Sequence, residues 1–171
     1  MQRFYYDYRF LRMLNKTGNQ YKHNITNIEF YVNPTLEKNF QRKQGELEEK
    51  YGPNNPEAKP IFGFHGTKND QIVDNIMNNN FRPSTRGKFG AGVYFSEQPA
   101  YTFGYGGQQH LIMAQILPGK TLECQFTGMH SGGCTPRYDS HGGFKQADGH
   151  FQEVVIFDTD QILPYYVIYF Q

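Results

Sequence analysis

Tryptophan is absent from the 171 residues, and cysteine nearly so, with Cys124 and Cys134 alone. Two cysteines are too few for a disulfide framework, and their spacing matches no familiar pair of zinc ligands, so both read as free thiols. An excess of charge of either sign is missing too: 17 Lys plus Arg face 16 Asp plus Glu, a formal net charge of +1. That balance excludes bulk attraction to nucleic acid or to an anionic membrane, and with it a polyanion-coating role. No apolar run approaches the roughly 20 residues of a membrane-spanning helix. The start Met1-Gln2-Arg3-Phe4-Tyr5-Tyr6-Asp7 lacks the apolar stretch of a signal peptide. These absences lead us to expect a soluble intracellular chain, cytoplasmic or nuclear, with no membrane partner. Its length suits one domain, residues 1–171, with an N-terminal region 1–59 and a core 60–171.

What the chain has in quantity is phenylalanine and tyrosine, 15 and 13 residues, against a mean hydropathy of only -0.72. Aromatics must therefore supply much of the core, and both types favour strands. Residues 4–14 satisfy neither period cleanly and read as a helix. Residues 25–32, β-branched and aromatic between asparagines, read as a strand. Asn33-Pro34 offers an N-cap with proline in the first turn, and Leu36, Phe40 and Leu47 form one apolar stripe, predicting a helix to Tyr51 that Gly52-Pro53 stops. Beyond Pro60 short apolar runs alternate with glycines. Strands are expected at 61–64, 92–95, 111–117, 121–126, 154–157 and 166–170, and helices at 69–77 and 97–105. Residues 127–150, polar and rich in Gly, His and Ser, show no hydrophobic period and read as a loop throughout.

Three separated segments carry chemistry. Phe64-His65-Gly66-Thr67 sets a histidine and a glycine at the end of a buried strand. Gly90-Ala91-Gly92-Val93-Tyr94-Phe95-Ser96 sets a tyrosine behind a Gly-x-Gly, and Glu153 opens the run Val154-Val155-Ile156-Phe157. A carboxylate beside an aromatic-lined pocket is suited to hydrogen-bonding a sugar hydroxyl and to stabilising a developing oxocarbenium cation. Each segment has a bland reading as well: a structural histidine, an ordinary turn, a solvated strand end.

In this order, from about Pro60 to Tyr169 and with Tyr105, Asp160-Gln161, Pro164 and Tyr166 as further anchors, the segments resemble the catalytic domain of the poly(ADP-ribose) polymerase family. The resemblance implies an α+β fold, two antiparallel β-sheets packed face to face with flanking helices. It implies an enzyme that splits NAD, its co-substrate, releases nicotinamide and transfers ADP-ribose to a macromolecular acceptor. That acceptor is expected to be protein, the chain itself included, with nucleic acid left open. His65, Tyr94 and Glu153 would be catalytic. His65 would bind the adenosine ribose and the carboxamide, with Thr67 nearby, and the Gly66 backbone would pair with the carboxamide. Tyr94 and Tyr105 would sandwich the nicotinamide ring, with Phe95 and Thr102 completing the cofactor-binding set. Glu153 would hold the 2'-hydroxyl of the nicotinamide ribose and steady positive charge. The His-Tyr-Glu set permits polymer without requiring it.

The departures are informative. Thr102 stands where the family commonly has serine, keeping the hydroxyl and adding a methyl. The stretch after Tyr105 is too short for the zinc-binding loop some relatives insert, and residues 1–59 are too few for a helical regulatory domain, so control by DNA breaks is not expected. Cys124, His130, Cys134 and His141 fit no standard ligand spacing, and no metal is expected. Arg82, Arg86 and Lys88, on a loop that in the family overhangs the cleft, could meet the pyrophosphate or form a solvated basic loop. A non-catalytic module that binds NAD, ADP-ribose or a protein partner is the alternative, and retention of both His65 and Glu153 weighs against it.

Overall fold

A computed structural model describes residues 25–105, 110–126, 128, 129 and 131–170. The helix expected at 4–14 lies outside the described residues. Strand β1 (Ile25–Phe30) leads into helix α1 (Pro34–Tyr51), where Asn33 caps the first turn by accepting from the Leu36 amide at 3.3 Å. Gly52, at φ 97°, ends α1 and donates its N–H to Glu48 O. Leu36, Phe40 and Leu47 are buried against Ala58, Leu117 and Leu163, which is the expected stripe. Strand β2 (Ile61–Thr67) and helix α2 (Asp70–Asn79) follow, then β3 (Val93–Phe95), the single turn α3 (Pro99–Thr102), β4 (His110–Ile116) and β5 (Thr121–Cys124). Strands β6 (Ser140–Lys145), β7 (Phe151–Ile156) and β8 (Ile162–Phe170) complete the order.

The architecture is α+β, with two packed sheets of four strands each, in the orders β1-β8-β4-β2 and β3-β7-β6-β5. The first is antiparallel throughout, whereas in the second β5 and β6 run parallel, a departure from the all-antiparallel expectation. The main core lies between the sheets: Ile112, Ala114, Ile116 and Val167 on one side meet Val93, Phe95, Val154 and Ile156 on the other. Val73, Ile76 and Met77 of α2 join the same core. The two sheets are clipped together where Phe64 and Ser96 exchange backbone hydrogen bonds of 2.7 and 3.0 Å.

Three local expectations are corrected. Residues 127–150 are not loop throughout, because Ser140–Lys145 is an inner strand whose first four residues are buried. Its apolar surface is supplied by neighbours rather than by its own side chains: a Cβ on Gly142 would stand 2.4 Å from the Phe151 ring, and one on Gly143 2.0 Å from the Phe89 ring. The helix expected at 97–105 is α only over Pro99–Thr102 and tightens to 3-10 over Phe103–Tyr105. Strand β5 ends at Cys124 rather than at 126.

Candidate active site

A cleft of about 470 Å³ opens beside the clip between the sheets. On one wall β2 presents His65, Gly66 and Thr67, and β3 presents Tyr94 and Phe95. His65 Nδ1 lies 2.9 Å from Tyr94 O. A carbonyl only accepts, so Nδ1 carries the proton and Nε2 is left as an acceptor. Burial pushes the His65 pKa below its ordinary value, against the opposing hydrogen bond to Tyr94, which keeps the ring neutral. Phe81 packs edge-on to both His65 and Phe95, at 5.0 and 5.2 Å between ring centroids. The Tyr94 phenol is held with equal firmness. It accepts from Phe89 N at 2.9 Å and donates to Gly90 O at 2.8 Å.

A second wall is built around Glu153, on the strand that pairs with β3. This residue is the third of β7 and only 4% exposed, so it is neither the first residue of its strand nor a solvated end. Its Oε1 accepts from Tyr101 at 2.5 Å, from Tyr105 at 3.0 Å and from Lys88 Nζ at 3.3 Å. Its Oε2 is buried and, among the described residues, has no partner. A buried carboxylate oxygen without a donor is costly, and a ligand hydroxyl is the kind of group that offsets it. Lys88 Nζ also donates to Tyr105 at 2.9 Å and sits 5.4 Å from the ring centroids of both Tyr105 and Phe144. The hydrogen bond to Tyr105 and, after partial desolvation in the opposite sense, the charge of Glu153 raise the Lys88 pKa. Burial, then the bond to Glu153, raises that of the Tyr101 phenol.

Residues 7–127, more than half of the chain, match the family model described as the poly(ADP-ribose) polymerase catalytic domain. The chain belongs to that family. The chemistry of poly(ADP-ribose) polymerase domains is ADP-ribosyl transfer with NAD as substrate, and the two packed sheets fit their fold. The matched span ends before Glu153, which enters the cleft through the pairing of β7 with β3, Phe95 lying opposite Val154.

The cleft brings together the residues that the resemblance gives catalytic or cofactor-binding roles: His65, Gly66, Thr67, Tyr94, Phe95, Thr102, Tyr105 and Glu153. Thr102 is buried and donates its hydroxyl to Pro99 O at 2.6 Å, so toward a ligand its oxygen is an acceptor. Tyr105 is half exposed, and its hydroxyl is engaged with Glu153 as well as leaving the ring open to the cleft. Of the three basic residues before Gly90, Lys88 turns onto Glu153, while Arg82 and Arg86 are exposed. Tyr101 escaped notice in the sequence. Its signal is the spacing of four from Tyr105, which places both phenols on one face of a helical turn. His141 belongs to β6, donating from Nδ1 to Phe89 O at 2.6 Å and accepting at Nε2 from Thr135 N at 3.0 Å, so both ring nitrogens are occupied. Among the described residues no group of three His, Cys, Asp or Glu side chains could hold a metal ion, and no helix is long and apolar enough to cross a membrane.

Proposed function

We propose that the chain is an NAD-dependent ADP-ribosyltransferase that releases nicotinamide and passes ADP-ribose to a protein, folded as one catalytic domain. The observation that carries this reading is the Glu153 carboxylate, buried at the cleft with one oxygen fully engaged and the other, among the described residues, without a partner, in the same cleft as His65, Gly66 and Tyr94. His65, neutral and with its proton fixed on Nδ1, offers Nε2 to a ribose hydroxyl, and Thr67 lies beside it on the adenosine-ribose side. The Gly66 backbone pairs with the carboxamide, and Tyr94 and Tyr105 flank the nicotinamide ring, with Phe95 and Thr102 behind them. Oε2 of Glu153 takes the 2'-hydroxyl of the nicotinamide ribose, and the carboxylate steadies the positive charge that develops as the glycosidic bond lengthens.

Purified chain incubated with labelled NAD tests the reading directly. Nicotinamide should be released and label should appear on protein after denaturing electrophoresis. If bound NAD is returned intact with no label on any protein, the reading fails and the chain is a binding module.

A further inference from the structure

His141 does not line the cleft, yet one of its bonds ends on the loop that braces Tyr94. It lies on the inner strand β6, only 6% exposed, with Leu122 of β5 and Val155 of β7 beside it in register. The Phe157 ring packs edge-on to it at 4.7 Å between centroids. Nδ1 donates to Phe89 O at 2.6 Å, while Nε2 accepts from Thr135 N at 3.0 Å and lies 3.0 Å from Thr135 Oγ1. A carbonyl only accepts and an amide N–H only donates, so the proton is on Nδ1 and the lone pair on Nε2.

Phe89 is one link in a longer run of bonds. It donates its N–H to Tyr94 Oη at 2.9 Å, and that hydroxyl donates to Gly90 O at 2.8 Å. Lys88, Phe89 and Gly90 belong to no strand or helix, so no ladder of backbone bonds holds them. The phenol and the loop brace each other, and His141 ties both to the interior of the sheet through Phe89 O. Apolar packing follows the same path, because the Phe89 ring lies on Gly143 and edge-on to Phe144 at 5.2 Å. The bonds therefore pass from Thr135 through the His141 ring and Phe89 to the Tyr94 phenol, and in a buried run each bond polarises the next.

We propose that His141 is a positioning residue for the transferase, holding the loop 88–90, and through it the Tyr94 phenol, in the geometry that receives nicotinamide. The identity of the ligand rests on the transferase reading above, and the positioning rests on the bonds of His141. The two ring nitrogens have unequal parts in it. Without the Nδ1 donor, Phe89 O loses its tie to β6 and the loop is free to drift with the phenol. Without the Nε2 lone pair, only Thr135 is released, and it lies in an exposed segment where water replaces the lost acceptor. The ring of Tyr94 lies against the nicotinamide before and during bond cleavage alike, so its displacement weakens binding more than it slows turnover.

Two substitutions in the full chain separate the ring nitrogens, because an Asn amide nitrogen reaches the place of Nδ1 and a Gln amide reaches that of Nε2. His141→Asn can still donate to Phe89 O, whereas His141→Gln can still meet Thr135 but leaves Phe89 O unmet. Benzamide, an uncharged mimic of nicotinamide, is the probe. His141→Gln should weaken benzamide binding by about tenfold or more and raise the KM for NAD to match, with kcat changed by less than about threefold. His141→Asn should keep both affinities within about threefold of the parent chain. A role in folding alone would lower the melting temperatures of the two variants and leave the affinities of the folded proteins equal. In the parent chain the same coupling runs in reverse: saturating benzamide should slow amide hydrogen exchange at Thr135, which does not line the cleft, by about fivefold or more. The proposal is overturned by equal affinities of the Asn and Gln variants, by a loss confined to kcat, or by a Thr135 amide indifferent to benzamide, and the last decides the matter even if neither variant folds. A parent chain that neither binds benzamide nor releases nicotinamide from NAD would sink the transferase reading, and this proposal with it.

Discussion

The two walls of the cleft are anchored in opposite ways. On the His65 side every side-chain bond that fixes the geometry ends on backbone: Nδ1 of His65 on Tyr94 O, and the Tyr94 phenol on Phe89 N and Gly90 O. On the Glu153 side the bonds run between side chains drawn from three stretches of chain, Lys88, the Tyr101 and Tyr105 pair, and Glu153 itself. A side chain tied to backbone moves only if the strand moves. A side chain tied to other side chains can exchange partners by rotation, as a group that must meet substrate has to do. The first wall is thus built for shape and the second for charge, and substitutions should separate the two.

The largest effect should come from the charged wall. Glu153→Gln keeps the size of the side chain and loses its charge, and transfer should fall by about 100- to 1000-fold while NAD affinity changes by only a few-fold. Rate and affinity measured on the same preparation check this, and a near wild-type rate would remove Glu153 from the chemistry. Next comes the shape of the other wall. Gly87→Ala forces a methyl into the Tyr94 phenol and should cost about 1–3 kcal/mol of folding stability in urea, together with most of the NAD binding. Gly104→Ala, where an added Cβ meets nothing within 4 Å, is the control and should leave binding intact.

Removing single hydroxyls sharpens the contrast. Tyr94→Phe strands the Phe89 amide and should lower stability by about 1 kcal/mol, with transfer reduced only in proportion to lost binding. Tyr101→Phe takes one donor from Glu153 and should do the reverse, changing the turnover rate more than the unfolding midpoint. Equal effects of both variants on stability would erase the distinction between the walls.

The smallest effect is a dependence on pH. The folded pKa of His65 lies below its ordinary value of 6.5, so between the two values the unfolded chain binds more protons than the folded one. Stability should therefore be full above about 6.5 and decline as pH falls through that value toward the folded pKa. His65→Gln should flatten this part of the stability curve, as followed by thermal melts across a pH series. An unchanged slope would mean that His65 is not the titrating group.

Much was legible along the chain wherever the signal is complete within a few residues. The start of α1 at Asn33-Pro34, its apolar stripe and its stop at Gly52 are all local, because capping and helical period are satisfied within a turn or two. The residues of the cleft's first wall sit on strand ends marked by His65-Gly66 and Gly92-Val93-Tyr94, where a buried run meets a glycine. Strand β6 could not be read in this way. Its Ser140-His141-Gly142-Gly143 start has no apolar alternation, since the rings of Phe89 and Phe151 occupy the space that its own side chains would fill. That Lys88 would meet Glu153 rather than an exposed phosphate was equally hidden. The contact joins residues 65 apart in sequence and exists because β7 pairs with β3 and the Tyr94 phenol pins the loop that leads into β3. Composition and period determined which elements form. The pairing of strands decided which charges meet, because a cross-strand neighbour is set by sheet order, which no single stretch of sequence contains.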